Sequence, residues 1–302
     1  HPLGDGIGNG GVYALLVLPK GNIIAGGSFS LAGGVQSGVA RWNGTEWVAM
    51  GAGLPSEVRA IAMLQDGSIV ASSGIRVFRW DGALWTQLGG TANGSFFSLE
   101  RLADGTLVAG GAFSSIGGVA TAAIARWNGN AWGPIGAGIP LGYVYSIYQL
   151  PTGGMIVGGD FPEAGGVPAS GIAKWDGSSW SSFAGGVPGV LQAVTGGQDG
   201  TVYAAGSFNP SGDMAQTSVM AWEGSSWRPL GDGTDYGLAC VAPHPNGDTF
   251  VGGRFTVAGQ ISVNGIAFKR DGSWHGLESG LVGSFGGSWS RAIAITAEGD
   301  VI

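Results

Sequence analysis

"FSLERLADGTLVAGGAFSSIGGVATAAIARWNGNAWGPIGAGI" (97–139) and "VYSIYQLPTGGMIVGGDFPEAGGVPASGIAKWDGSSWSSFAGGV" (144–187) are two copies of one pattern. Each opens on a short apolar run, turns at a glycine, and runs into a second apolar segment ending in a glycine pair. A loop of about ten residues follows, then a hairpin that carries two tryptophans. The hairpin recurs as "RWNGTEW" (41–47), "RWDGALW" (79–85), "RWNGNAW" (126–132), "KWDGSSW" (174–180) and "AWEGSSW" (221–227), with a shortened copy, "KRDGSW", ending at Trp274. The second tryptophans, Trp47, Trp85, Trp132, Trp180, Trp227 and Trp274, are spaced by 38, 47, 48, 47 and 47 residues. A period of 40–50 residues with four strands per unit is the signature of a propeller blade. Helix is excluded, because no 3.6-residue apolar period persists and glycine and β-branched residues fill every segment.

Turns between the first and second strands of each unit (A and B) centre near Gly21, Gly67, Gly105, Gly153, Gly200, Gly247 and Gly299. That count predicts an all-β, seven-bladed β-propeller of four-stranded antiparallel blades in one domain, 1–302. The blades fall at 11–54, 55–92, 93–140, 141–188, 189–235 and 236–282. The seventh is split: 283–302 gives its first strands and 1–10 its outer strand, since "HPLGDGI" (1–7) matches the strand D stretch "RPLGDGT" (228–234). Closing a ring in this way protects sheet edges.

Composition agrees with many short strands. Of 302 residues, 62 are glycine and 44% are apolar, without a collagen-type period. Only 11% are charged and the net charge is −7, which argues against a nucleic-acid surface. Apolar runs such as "YALLVL" (13–18) are too short to span a bilayer, so no membrane insertion is expected. Low charge with abundant Gly, Ser and Thr points to a secreted or cell-surface protein.

The glycine pair and the strand D tryptophan resemble kelch repeats, with Trp42, Trp80, Trp127, Trp175 and Trp222 where kelch units carry tyrosine. The hairpin is also similar to tectonin-type repeats. The fuller pattern "GGSF…AGGV…VARWNGTEWVAMGAGL" resembles repeats of large secreted bacterial surface proteins and the propeller of the fungal cortical cell-polarity marker family. The resemblance implies the fold and not an activity, because propellers host unrelated functions.

Asn-Gly and Asp-Gly suit a two-residue type I′ turn. At Asn43-Gly44 such a turn pairs Trp42 with Thr45, Arg41 with Glu46 and Ala40 with Trp47. Trp42 and Trp47 then lie diagonally on one face. Both faces of a blade pack on neighbours, so the tryptophans read as inter-blade packing. The alternative is a sugar platform between blades.

Catalytic signals are weak. His1, His244 and His275 share no metal-type spacing, Cys240 stands alone in an apolar strand, and "DGSSW" lacks the spacer of a sialidase Asp-box. No catalytic residue, metal or cofactor is expected. The glycine pairs precede no helix and so form no phosphate loop. Variation between units concentrates in the B–C loops (28–38, 112–122, 160–170, 207–217, 254–264), which blade two lacks. Loops on a rigid scaffold carry binding, and their polar exceptions, Asp160, Glu163, Asp213 and Arg254, are the candidate ligand-binding residues. The expected role is non-enzymatic adhesion, scaffolding or protein assembly through the B–C loop face. The partner is a protein or glycan at the cell surface, or further copies of the chain. A propeller lectin using inter-blade tryptophans is the alternative, and a channel-site hydrolase or lyase a third reading.

Overall fold

The computed structural model describes residues 3, 4, 6, 7, 10–30, 38–183, 185–208, 217–277 and 290–302. Residues 1–140 with 296–298 form one compact unit, and 141–295 with 299–302 a second. Each unit holds three four-stranded antiparallel sheets in simple meander order, the blades of a β-propeller.

In the first unit, blade one is Val12–Val17, Ile23–Gly27, Val39–Trp42 and Trp47–Ala49. Blade two is Ile61–Met63, Ile69–Ser73, Arg76–Trp80 and Trp85–Gln87. Blade three is Phe96–Arg101, Leu107–Gly111, Ile124–Trp127 and Trp132–Pro134. In the second unit, blade four is Tyr143–Gln149, Met155–Asp160, Ile172–Trp175 and Trp180–Ser182. Blade five is Gly189–Gly196, Val202–Phe208, Thr217–Trp222 and Trp227–Pro229. Blade six is Leu238–Pro243, Thr249–Gly253, Ile266–Arg270 and Ser273–Gly276. Strands A of neighbouring blades touch within each unit, so A is the inner edge of its sheet.

Counting turns predicts seven blades, and the described residues form six. The seventh unit contributes one bridge, Ile295 with Val301, and two backbone hydrogen bonds between Ala294 and Ile302. That is a strand A–B turn, and the described residues add no further strand to it. In blade five strand D stops at Pro229, so by the match of 1–7 with 228–234 the described N-terminal residues correspond to the connection that follows a strand D. A Cβ on Gly4 (φ +58) would lie 3.1 Å from Trp42 Cζ3, much as one on Gly51 (φ +61) would lie 2.9 Å from Trp80 Cζ3. Residues 3, 4, 6 and 7 thus take the place of a D–A connection, with Ile7 against Ala25, Phe29 and Ala40. The rest of the proposed split blade, residues 1, 2, 5, 8, 9 and 283–289, lies outside the described residues.

Strand B is the buried spine of each blade, and its glycine pair has a packing cause. A Cβ on Gly158 would come within 2.7 Å of Val194 in the next blade, and one on Gly159 within 2.0 Å of Tyr143 O in its own strand A. Only glycine admits both approaches. Apolar side chains then fill each interface, as Ile24, Val39, Met50, Val58 and Ile69 do between blades one and two. Burial of such groups is the main driving force available to a chain with so few charges.

The C–D hairpins depart from the sequence expectation. Trp42 lies directly opposite Trp47, Arg41 opposite Val48, and Ala40 opposite Ala49. The loop therefore holds four residues, not two. Asn43 Oδ1 accepts hydrogen bonds from Thr45 N (2.9 Å), Thr45 Oγ1 (2.9 Å) and Glu46 N (3.0 Å), so the side chain organises the turn. Asp81, Asn128 and Asp176 do the same. A type I′ turn needs positive φ at both central residues. Only the shortened copy supplies it, at Asp271 (φ +48) and Gly272 (φ +77), where Arg270 pairs with Ser273.

Candidate functional site

The tryptophans come first, because the sequence singles them out. Each C–D pair is in ring contact, with centroids 5.6 Å apart for Trp42–Trp47, 5.3 Å for Trp80–Trp85, 5.4 Å for Trp127–Trp132, 5.1 Å for Trp175–Trp180 and 5.6 Å for Trp222–Trp227. In blade six Lys269 replaces the first ring and sits over Trp274, 5.2 Å from its centroid. Trp85 Nε1 donates to Met50 O and Trp132 Nε1 to Leu88 O, each at 3.0 Å and each across to the preceding blade. Trp42, Trp132, Trp180 and Trp274 are buried and the others half-buried. The rings are mortar between blades.

The long B–C loops fold back as small hairpins: Ser115–Ile116 with Val119–Ala120, Glu163–Ala164 with Val167–Pro168, and Val257–Ala258 with Ile261–Ser262. Ile116, Ala164 and Ala258 are buried. Two of the hairpins are tied to the incoming D–A connection. Ala92 bridges Ile116 and Thr234 bridges Ala258. Asn93 Oδ1 accepts from Ser114 N (2.9 Å) and Ser115 N (3.1 Å), and Asp235 Oδ1 from Thr256 N (2.8 Å) and Val257 N (2.9 Å). The small residues of these loops pack, and much of each loop is scaffold.

The candidate loop residues are therefore not brought together. Asp160 ends strand B of blade four, exposed and opposite Tyr143. Glu163 pairs with Pro168 in the small hairpin. Arg254 is exposed in blade six. No hydrogen bond or ion pair joins these three. Asp213 lies outside the described residues.

A feature of strand A stands out instead. Five of the six A strands carry a β-bulge near their start, and the extra residues are Tyr13, Phe97, Tyr145, Gln192 and Ala239. In blade two Arg59 holds this place, and the buried Ser72 hydroxyl accepts from Arg59 N (3.3 Å) and Ala60 N (3.0 Å). A bulge re-aims one side chain out of the pleat. Here it does so in five blades, with Arg59 at the matching place in blade two, at the end of strand A that lies beside the B–C connection. In the first unit Arg59 and Phe97 meet, and Tyr13 bonds within its own blade. Arg59 Nε donates to Glu57 Oε1 (2.6 Å), its Cζ lies 5.4 Å from the Phe97 ring centroid, and Tyr13 Oη lies 2.7 Å from Ser28 Oγ. Beside them a cleft of about 360 Å³ is lined by Ser28, Ser30, Ser56 and Glu57 among others. In the second unit the Tyr143 and Tyr145 rings lie 6.2 Å apart. Burial, then the negative charge of Asp160, raises the Tyr145 hydroxyl pKa. The signal is present in the sequence as apolar–X–small: "VYA", "VRA", "FFS", "VYS", "LQA", "LAC". It hides inside what reads as a continuous apolar strand.

Two titratable groups are displaced by burial. Glu100, in strand A of blade three, is pushed up to about 7 by desolvation, against which Arg101 works. The Cys240 thiol is buried and pushed up to about 12, with Ser290 Oγ 3.8 Å from its sulfur. His244 Nε2 is 2.8 Å from Gly299 O. Among the described residues no group of three His, Cys, Asp or Glu side chains is placed to hold a metal, and no helix is long and apolar enough to cross a membrane.

Comparisons with known proteins agree on the fold. Residues 102–130 match the model of a β-propeller domain of unknown function, DUF5122. No curated protein matches the chain by sequence. Among solved structures, an extracellular domain described as that of a hybrid two-component system from B. thetaiotaomicron aligns with TM-score 0.69 and 11% identity, over 98% of this chain and 38% of that one. The chain thus spans well under half of that relative. Virginiamycin B lyase from Staphylococcus aureus aligns with TM-score 0.59 and 10% identity, over 88% of this chain and 83% of the enzyme. A GH74 xyloglucanase from Xanthomonas campestris gives TM-score 0.61 and 19% identity, over 89% and 45%. An extracellular domain and two enzymes on one scaffold leave the activity to the side chains, and the chain is similar to all of them in fold: a β-propeller of four-stranded antiparallel blades.

Proposed function

We propose that the protein is an extracellular, non-enzymatic propeller that binds a macromolecular partner through its loop-bearing face, in adhesion, scaffolding or assembly. The carrying observation is the bulge repeat, which sets Tyr13, Arg59 and Phe97 at the loop-bearing end of three successive blades. Tyrosine and arginine are the residues that dominate protein interfaces energetically, and Arg59 is already held between Glu57 and Phe97. Exposed Tyr143 and Leu141 in the second unit, and Ile75 in the short turn of blade two, extend the same composition. Likeness to extracellular domains supports the setting. The kelch- and tectonin-type likeness of the hairpins belongs with this reading as a likeness of fold.

The test is saturable binding of the purified chain to intact cells of its source, compared with an Arg59→Ala/Phe97→Ala variant. Loss of two interface anchors lowers affinity by roughly tenfold or more. Binding that ignores the double variant rejects the loop face as the site. A carbohydrate-binding reading has one observation in its favour, at the other end of the blades: Trp80 lines an open groove.

A further inference from the structure

The groove lies between blades one and two, at the end bearing the A–B and C–D turns, and encloses about 690 Å³. That is the size of a small-ligand site. Its openness has a local cause. Between blades two and three the corresponding space is filled. The Gln65 side chain reaches to 2.8 Å from where a Cβ on Gly105 would stand, and Arg101 Nε donates to Met63 O at 3.0 Å. Between blades four and five the Tyr148 hydroxyl lies 2.1 Å from the Cβ position of Gly196. At the first junction the residues aligned with Gln65 and Arg101 are Pro19 and Met63. Neither carries a polar group to reach across.

The charge of the groove opposes that of the protein. Lys20, Arg41 and Arg79 face Asp66 and Asp81, three cations to two carboxylates, in a chain of net charge −7. Both carboxylates are already engaged. Asp66 accepts from Ser68 N (3.0 Å), Ser68 Oγ (2.6 Å) and Arg79, and Asp81 Oδ1 from Ala83 N and Leu84 N (both 2.8 Å). Their hydrogen bonds lower both pKa values, so both stay ionised. With the Asn22 amide turned so that its nitrogen donates to Trp42 O (3.2 Å), its oxygen accepts from Arg41 Nη2 (3.1 Å), which fixes Arg41 on the wall. Lys20 and Arg41 meet no acidic partner among the described residues. Lys20 also has φ +79, a left-handed backbone that its counterparts Asp66, Asp104 and Asp199 do not share. Strained non-glycine residues of this kind cluster at ligand sites. Half-buried Met63 and Trp80 supply an apolar floor.

We infer that this groove binds an acidic carbohydrate, its ring against Trp80 and its carboxylate between Lys20 and Arg41. An acyl chain would lay apolar carbon on the Lys20 ammonium and on Asp81 Oδ2, the carboxylate oxygen its turn does not use, whereas sugar hydroxyls hydrogen-bond both. This inference is independent of the loop-face reading.

Calorimetry of the full chain with tri-galacturonate and with neutral galactotriose tests it. The acidic sugar should bind roughly tenfold or more tightly than the neutral one, from a charge-assisted contact, and should weaken as salt rises. Lys20→Gly removes the amine while relieving the left-handed backbone, so it should melt no lower than the parent and lose the preference. Arg41→Gln should weaken binding similarly, and Arg59→Ala/Phe97→Ala should leave it intact. Binding of neither sugar, equal binding of both, an unchanged preference in Lys20→Gly, or equal binding of a simple alkyl carboxylate would each overturn the assignment.

Discussion

Glu100→Gln should make the protein more stable at alkaline pH and leave it unchanged in acid. Glu100 sits in the inner strand of blade three and receives no hydrogen bond from the described residues, and burial moves its pKa from 4.5 to about 7. Below about pH 4.5 native and unfolded chains both hold the proton, so Glu100 adds nothing to the pH dependence. Between 4.5 and about 7 the unfolded chain releases the proton while the native chain keeps it. Stability therefore falls as pH rises through this window, and the loss is complete above it. At 1.36 kcal/mol for each pKa unit, the upper bound is about 3 kcal/mol. Glutamine keeps the shape and cannot ionise. Urea unfolding of both proteins from about pH 4.5 to about pH 8.5 should show their difference opening across the window. Parallel curves would refute a carboxyl held neutral by burial.

Other outcomes follow from the packing. Gly165→Ala should cost about 2–3 kcal/mol, because the new Cβ would lie 2.5 Å from Trp180 Cδ1 at φ +58. Gly177→Ala, with nothing within 4 Å of its Cβ position, should cost only the backbone strain of about 1 kcal/mol; equal melting temperatures for the pair would contradict the clasp of the small hairpin on Trp180. Asn43→Ala should lower stability by about 1 kcal/mol through loss of the turn acceptor, and denaturant titration reads it directly. Cys240, buried with its thiol pushed up to about 12, should resist a thiol reagent until the protein unfolds. Rapid labelling of the native chain would show the site to be open.

The repeat was legible because each blade spends the same residues on the same problem. Trp132 and Trp180 recur where an outer strand must seal a junction, and the Gly110–Gly111 pair where backbones meet. What misled was chemistry that serves two geometries. Asn43-Gly44 reads as a two-residue turn, yet the Asn43 side chain accepts two backbone N–H groups and so draws in two more residues. Asp271-Gly272, in the copy that looks decayed, is the pair that makes the tight turn. The loop glycines Gly117-Gly118 and Gly165-Gly166 all have positive φ and close the small hairpins. Loops read as free binding elements are therefore largely structural. The bulges escaped notice because one extra residue, such as Phe97 or Tyr145, leaves an apolar strand still looking apolar. The groove beside Lys20 depends on what Pro19 and Met63 fail to fill, and period and composition do not register an absence of that kind.

The central claim is that the loop-bearing face binds a partner. Its most direct measurement is flow cytometry of labelled protein on intact source cells, with Arg59→Ala/Phe97→Ala beside Arg228→Ala, an exposed change in strand D of blade five. The account predicts saturable binding that Arg228→Ala retains and the double variant loses. No saturable binding by the parent, or equal binding by all three, would contradict it.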